Sequence, residues 1–327
     1  MKPAIIGLSG LMLSAEEAAL LRAHRPAGII LFARNVHDPV QLAGLIGSVR
    51  SILPEAVVMV DQEGGRVARL RPPVWQAHPP ARSIGALHAR DEAAGLRAAW
   101  LTGGLIGAQC AAAGFTVVAA PVLDVAAPDG HDAIGDRSYA ADPASAAALG
   151  SAMARGLLAA GVQPVGKHFP GHGRARVDSH LEMPVLDGVS EADLAPFRAN
   201  VWLPWMMTAH IRYTEQDMAN PATLSPALTG LLRSLGFCGV LTTDDLAMQA
   251  LTGSPGTRAS RALAAGCDVA LHCSGVLADS ADVLASIPAA TDAAVARLRA
   301  GVAQAAAARA VLDVAALTAE RAALLPC

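Results

Sequence analysis

Aromatic residues are scarce in this 327-residue chain, at 3%, and charged residues make up 16%, below the roughly 25% of an ordinary soluble domain. The hydrophobic set still reaches 53%, carried by alanine and the aliphatics, which excludes intrinsic disorder and supplies apolar surface for a large core. A formal net charge of −3 provides no basic field for nucleic acid or an anionic membrane. The five cysteines (Cys110, Cys238, Cys267, Cys273 and Cys327) are odd in number and form no C-x-x-C pair. They read as reduced thiols, not as a disulfide framework or a zinc ribbon. No uninterrupted apolar run of about 18 residues is present, so no transmembrane helix is expected. The apolar stretch after Lys2 shows no small-residue cleavage site and runs into Ser14-Ala15-Glu16-Glu17, a helix capping box. It reads as a buried strand followed by a helix, and the expected compartment is the cytoplasm.

What the chain does have is a rhythm. Short apolar runs at 4–10, 28–32, 57–61, 116–125, 164–169, 205–210, 239–245 and 268–274 each end in polar residues or glycine. Runs of this kind suit strands buried on both faces, as in a parallel sheet. Helix starts lie between them, with Asp142-Pro143 and Ser225-Pro226 placing a cap before a proline at the first helical position. Eight strands alternating with helices predict an α/β fold, a single (β/α)8 TIM-type barrel. No Pro-, Gly- or Ser-rich linker interrupts it, so one domain is expected over residues 1–327. An alanine-rich helical tail from about Ala289 is expected to close the outer ring.

The polar residues fall where such a barrel does chemistry. Asp61, Asp124, Lys167, His168, His210 and the Asp244-Asp245 pair all stand at the C-terminal ends of predicted strands, on the face that carries active sites. The densest cluster is Lys167-His168-Phe169-Pro170-Gly171-His172-Gly173, followed by Asp178-Ser179-His180. Its prolines and glycines predict an irregular loop. Two chemistries fit it: metal ligation by His168, His172, Asp178 and His180, or acid/base catalysis with Asp178 holding one nitrogen of His180. Upstream, VVMVDQEGGRVARL delivers Asp61 to a strand end, where it could be a structural N-cap or, with Arg69 close by, accept two hydrogen bonds from a sugar diol. The Gly64-Gly65 pair lacks nucleotide-loop spacing. In GVLTTDDLAM, adjacent carboxylates point to opposite sides, so one faces the barrel mouth while the other packs or caps. Gly135-Asp136-Arg137 adds an arginine that could equally be a surface ion pair.

Taken in order, DQEGGRVARL, APVLDV, GDRSYAADP, GKHFPGHGRARVDSH, MMTAHIRY and GVLTTDDLAM resemble the motifs of family 3 glycoside hydrolases. More narrowly, they resemble the single-domain bacterial β-N-acetylglucosaminidases of peptidoglycan recycling. The likeness runs to about residue 275, and the K-H-F-P-G-H-G-x4-D-S-H string is its most specific part. The resemblance implies Asp244 as nucleophile, His180 as general acid/base paired with Asp178, and Asp61, Arg69, Arg137, Lys167 and His168 as sugar-binding residues. It implies a retaining exo-glycosidase that needs no cofactor or metal and acts, as a monomer, on a small sugar substrate of the N-acetylglucosaminyl-anhydromuropeptide type. A β-glucosidase or phosphorylase of the same family, or a metal-dependent hydrolase, are the alternatives. Two positions depart from the pattern: Ala247 stands where serine is expected, and Cys238 where an acidic or polar residue is expected.

Overall fold

The computed structural model describes residues 1–325, so Cys327 lies outside the described residues. Eight parallel strands form the centre: Lys2–Gly7, Pro26–Leu31, Val57–Val60, Val117–Val118, Gln163–Phe169, Trp205–Thr208, Val240–Thr242 and Ala270–His272. Each pairs with the next, and the eighth pairs with the first, Ala270 opposite Ala4. A parallel bridge between Thr242 and Val269 closes the ring between the seventh and eighth. Every apolar run singled out in the sequence supplies one barrel strand. The fourth is the shortest: the Ala120 N–H turns back to the Val118 carbonyl and interrupts the ladder, which resumes as a bridge between Val122 and Lys167.

The strands are apolar on both faces because both are covered. Ile5, Ile30, Met59, Val165, Trp205 and Leu271 fill the barrel interior. Alternate residues such as Ile6, Ile29, Val58, Val60 and Val118 meet the surrounding helices. Burying one such aliphatic side chain contributes roughly 1.5–3 kcal/mol. The helices start as their caps dictate, with Ser14 and Glu17 exchanging both bonds of a capping box and Asp142 accepting from Ser145 N–H. Small residues substitute for aromatics in the outer ring. Helices Glu92–Ala113 and Pro143–Ala159 approach so closely that a Cβ at Gly103 would lie 2.1 Å from the Met153 carbonyl oxygen.

The tail departs from expectation. It does not simply close the outer ring, because its first helix, Asp292–Ala308, lies across the N-terminal floor of the barrel. Leu298 packs on the interior cluster, Gln304 donates to the Trp202 carbonyl at 3.0 Å, and Arg297 bonds Asp268 just before the eighth strand. The apolar interior around Trp205 would otherwise open to water at that end. The second helix, Val314–Leu324, does join the outer layer, packing Leu317 on Leu101 and Leu105. Among the described residues no helix is long and apolar enough to cross a membrane, and Cys110, Cys238, Cys267 and Cys273 are free thiols.

Candidate active site

The third strand carries Asp61 to the mouth of the barrel. Past its end the side chains alternate, so Asp61 and Glu63 face inward while Gln62 faces away and accepts from Arg69 and Leu70 N–H. That bond folds the loop back and brings the Arg69 guanidinium to Asp61 at 2.9 Å. Lys167, at the end of the fifth strand, reaches Asp61 at 3.1 Å and Glu63 at 2.6 Å. Arg137 binds Glu63 with two nitrogens, at 2.8 and 2.9 Å. This is a buried fork, with the two side chains 12% and 7% exposed, and not a surface ion pair. Burial alone would raise the Glu63 carboxyl, but Arg137 and Lys167 outweigh it and hold the pKa at about 2. Burial likewise opposes charge on Asp61 and Lys167, and their partners again prevail: the Asp61 pKa is lowered and that of Lys167 raised. Three cations and two carboxylates thus form one fixed, charged lattice.

Asp124 organises the next layer. Its Oδ2 accepts from His168 Nδ1 at 2.6 Å, and its Oδ1 accepts from the His172 backbone N–H at 2.7 Å. The loop needs glycine here, since a Cβ at Gly173 would lie 1.7 Å from the Val125 carbonyl oxygen. His172 shares a hydrogen bond of 2.9 Å with Ser179 Oγ. Further along, His180 Nδ1 and its backbone N–H both donate to Asp178 Oδ1, at 2.7 and 2.9 Å. Burial pushes the Asp178 carboxyl up, but these two bonds and the charge of the ring bring it below its ordinary value. The four residues weighed as metal ligands therefore turn to different partners. Among the described residues no group of three or more His, Cys, Asp and Glu side chains is placed to hold a metal ion.

The adjacent carboxylates beyond the seventh strand both line the cavity, instead of turning to opposite sides as strand alternation predicts. They do so because they stand past the end of Val240–Thr242, and they differ in their partners. Asp244 projects into the cavity and accepts Asp245 N–H at 2.8 Å. Burial raises its pKa, yet the His168 and His210 rings, the Asp245 N–H and the Lys167 ammonium together hold it below the usual carboxylate value. Asp245 spends one oxygen on the N–H groups of Ala247 and Cys273, capping the next turn and tying it to the eighth strand. Ala247 contributes only a backbone N–H that serine would supply equally, and Cys238 is exposed on the Gly236 carbonyl, outside the cavity lining.

Asp61, Arg69, Arg137, Lys167, His168, His180 and Asp244 line one cavity of about 170 Å³, with Asp178 holding His180 from outside the lining. Sequence reasoning places Asp124 on the active-site face without giving it a role, and it misses Glu63 altogether. The alternation through Asp61-Gln62-Glu63 is the signal that could have found Glu63.

A profile of the glycosyl hydrolase family 3 N-terminal domain matches residues 5–306, past residue 275 where the motif likeness ends, and so takes in most of the floor helix. Beta-hexosaminidases from Aromatoleum aromaticum and Tolumonas auensis are 39% and 40% identical over 282 and 286 residues, spanning 83% and 84% of this chain and 79% and 83% of theirs. The structure of NagZ from Neisseria gonorrhoeae in complex with N-trifluoroacetyl-D-glucosamine superposes with a TM-score of 0.87 at 31% identity, covering 99% of this chain and 98% of that one. With its barrel, its loop and its paired strand-end carboxylates all in the order of the motifs, the chain belongs to glycosyl hydrolase family 3.

Proposed function

We propose that the protein is a retaining exo-β-N-acetylhexosaminidase that removes N-acetylglucosamine from cell-wall fragments in the cytoplasm, with the whole chain acting as one catalytic domain. The observation that carries this reading is the meeting of an ionised, half-buried Asp244 and a carboxylate-held His180 in one small cavity. Retaining hydrolysis needs a nucleophile and a proton carrier on either side of the scissile bond. Asp244 attacks the anomeric carbon as the glycosidic C–O bond breaks, and His180 Nε2–H protonates the leaving oxygen. A glycosyl ester on Asp244 and a free alcohol result. His180 then removes a proton from water, whose oxygen attacks the same carbon and releases the Asp244 carboxylate.

Asp61, Arg69, Arg137, Lys167 and His168 hold the sugar, and the fixed charges around Asp61 and Glu63 support placement worth several kcal/mol of barrier. The cavity, at about 170 Å³, is below the roughly 300–1,000 Å³ that receives drug-sized ligands. That size suits one terminal sugar ring and favours exo action. The preference for an N-acetylated sugar draws on the beta-hexosaminidase relatives and on the N-trifluoroacetyl-D-glucosamine complex of NagZ. The test is a chromogenic panel of N-acetyl-β-glucosaminide, β-glucoside and phosphate ester, with the product anomer followed by NMR. The N-acetylglucosaminide should be cleaved fastest, in water without added phosphate, and release the β-anomer first. Preference for the glucoside, dependence on phosphate, or release of the α-anomer would overturn the reading.

A further inference from the structure

Ser179 stands between two solvent-facing residues yet is itself buried, at 2% exposure. The flanking side chains of Asp178 and His180 are 25% and 64% exposed. What holds Ser179 down is His172, whose Nε2 lies 2.9 Å from the serine hydroxyl. His172 is fixed in turn from the barrel, through its backbone N–H to Asp124 Oδ1 and through its ring, edge-on to His168 with centroids 5.7 Å apart. Burial and the neighbouring His168 push the His172 pKa down to about 4, so the ring is uncharged near neutral pH. Among the described residues the other bonds at this tip are mostly local, running from His180, Leu181 and Glu182 N–H to Asp178. One more long-range bond, from Gln249 N–H to the His180 carbonyl, is 3.2 Å long.

From this geometry we infer that Ser179 is a positioning residue, and that the chain Asp124–His172–Ser179 sets the place of the Asp178–His180 pair over the sugar. The inference rests on the acid/base reading of that pair given above. Asp124 then serves both ends of the site, since one oxygen orients the sugar-binding His168 and the other anchors the loop that brings the proton carrier. A hydroxyl that acts through His180 should matter most when the leaving group needs a proton.

The experiment measures kcat/KM for wild type, Ser179→Ala, Ser179→Thr and His180→Ala on aryl N-acetyl-β-glucosaminides of graded leaving-group pKa. Melting curves check that each variant is folded. Ser179→Ala should lose roughly tenfold more on the poorest leaving group than on dinitrophenolate, the factor that one neutral hydrogen bond supports. Ser179→Thr, which keeps the hydroxyl, should recover most of that difference. Measured beside the single His172→Asn variant, the double variant with Ser179→Ala should show a smaller leaving-group-dependent loss than the two single losses combined, because both break the same link. If His180→Ala is sensitive to the leaving group while Ser179→Ala loses equally across the series, the serine contacts sugar or supports the fold, and the positioning role is wrong. If His180→Ala itself loses equally across the series, the acid/base assignment fails and takes this inference with it.

Discussion

Replacing Asp244 with alanine removes the group proposed to bond the anomeric carbon, and turnover should fall by several orders of magnitude with the melting temperature nearly unchanged. Asp245→Ala should do the reverse. It strips acceptors from two N–H groups, those of Ala247 and Cys273, at a cost of about 1–3 kcal/mol for each donor left buried. Steady-state rates and denaturant titrations on both variants check the division, and a live Asp244→Ala beside a dead, folded Asp245→Ala would reverse it. Glu63 gives a second test. Its folded pKa of about 2 lies below the ordinary 4.5, so its stabilisation is complete above pH 4.5 and is lost as pH falls towards 2. The stability gap between wild type and Glu63→Gln should shrink by about 3 kcal/mol over that window. Parallel curves would mean that the lattice of Arg137, Lys167 and Glu63 contributes no net charge coupling.

The elements differ in how plainly they can be read. The barrel strands are legible because each is buried on both faces, and several run into a residue with chemistry to do, as 57–61 ends in Asp61. The floor helix is not, since residues 292–308 are alanine-rich on every side and nothing in their spacing selects floor over rim. Glu63, and the role of Asp124, are hidden for another reason: a buried carboxylate is distinguished by its partners, and those come from other strands. The last helix illustrates the same point. Arg321 donates to His78 Nδ1 at 2.7 Å, while Gln109 bonds Nε2 at 3.2 Å. The His78 carbonyl in turn accepts from Gly65 N–H, two residues beyond Glu63. Burial and Arg321 lower the His78 pKa to about 4 from 6.5. The neutral ring therefore stabilises the fold above pH 6.5, and that contribution is lost as pH falls through 4. His78→Gln should flatten the decline in stability across this window, as followed by denaturant titration. An unchanged slope would remove His78 from the account.

At the scale of the whole molecule, a chain poor in aromatics packs its outer ring closely through small residues and gathers the charged groups of its cavity at one end of the barrel. The proposed chemistry there runs through an ester and a histidine, so exhaustive dialysis against chelator should leave activity unchanged. A loss restored by zinc or manganese would favour a metallohydrolase. The ester itself is the most direct test. His180→Ala lacks the base that activates water, so with the dinitrophenyl N-acetyl-β-glucosaminide it should load faster than it unloads. Intact-protein mass spectrometry should then find one added N-acetylhexosaminyl group, and peptide mapping should locate it on Asp244. An unlabelled protein during turnover, or a label on any other residue, would contradict the account.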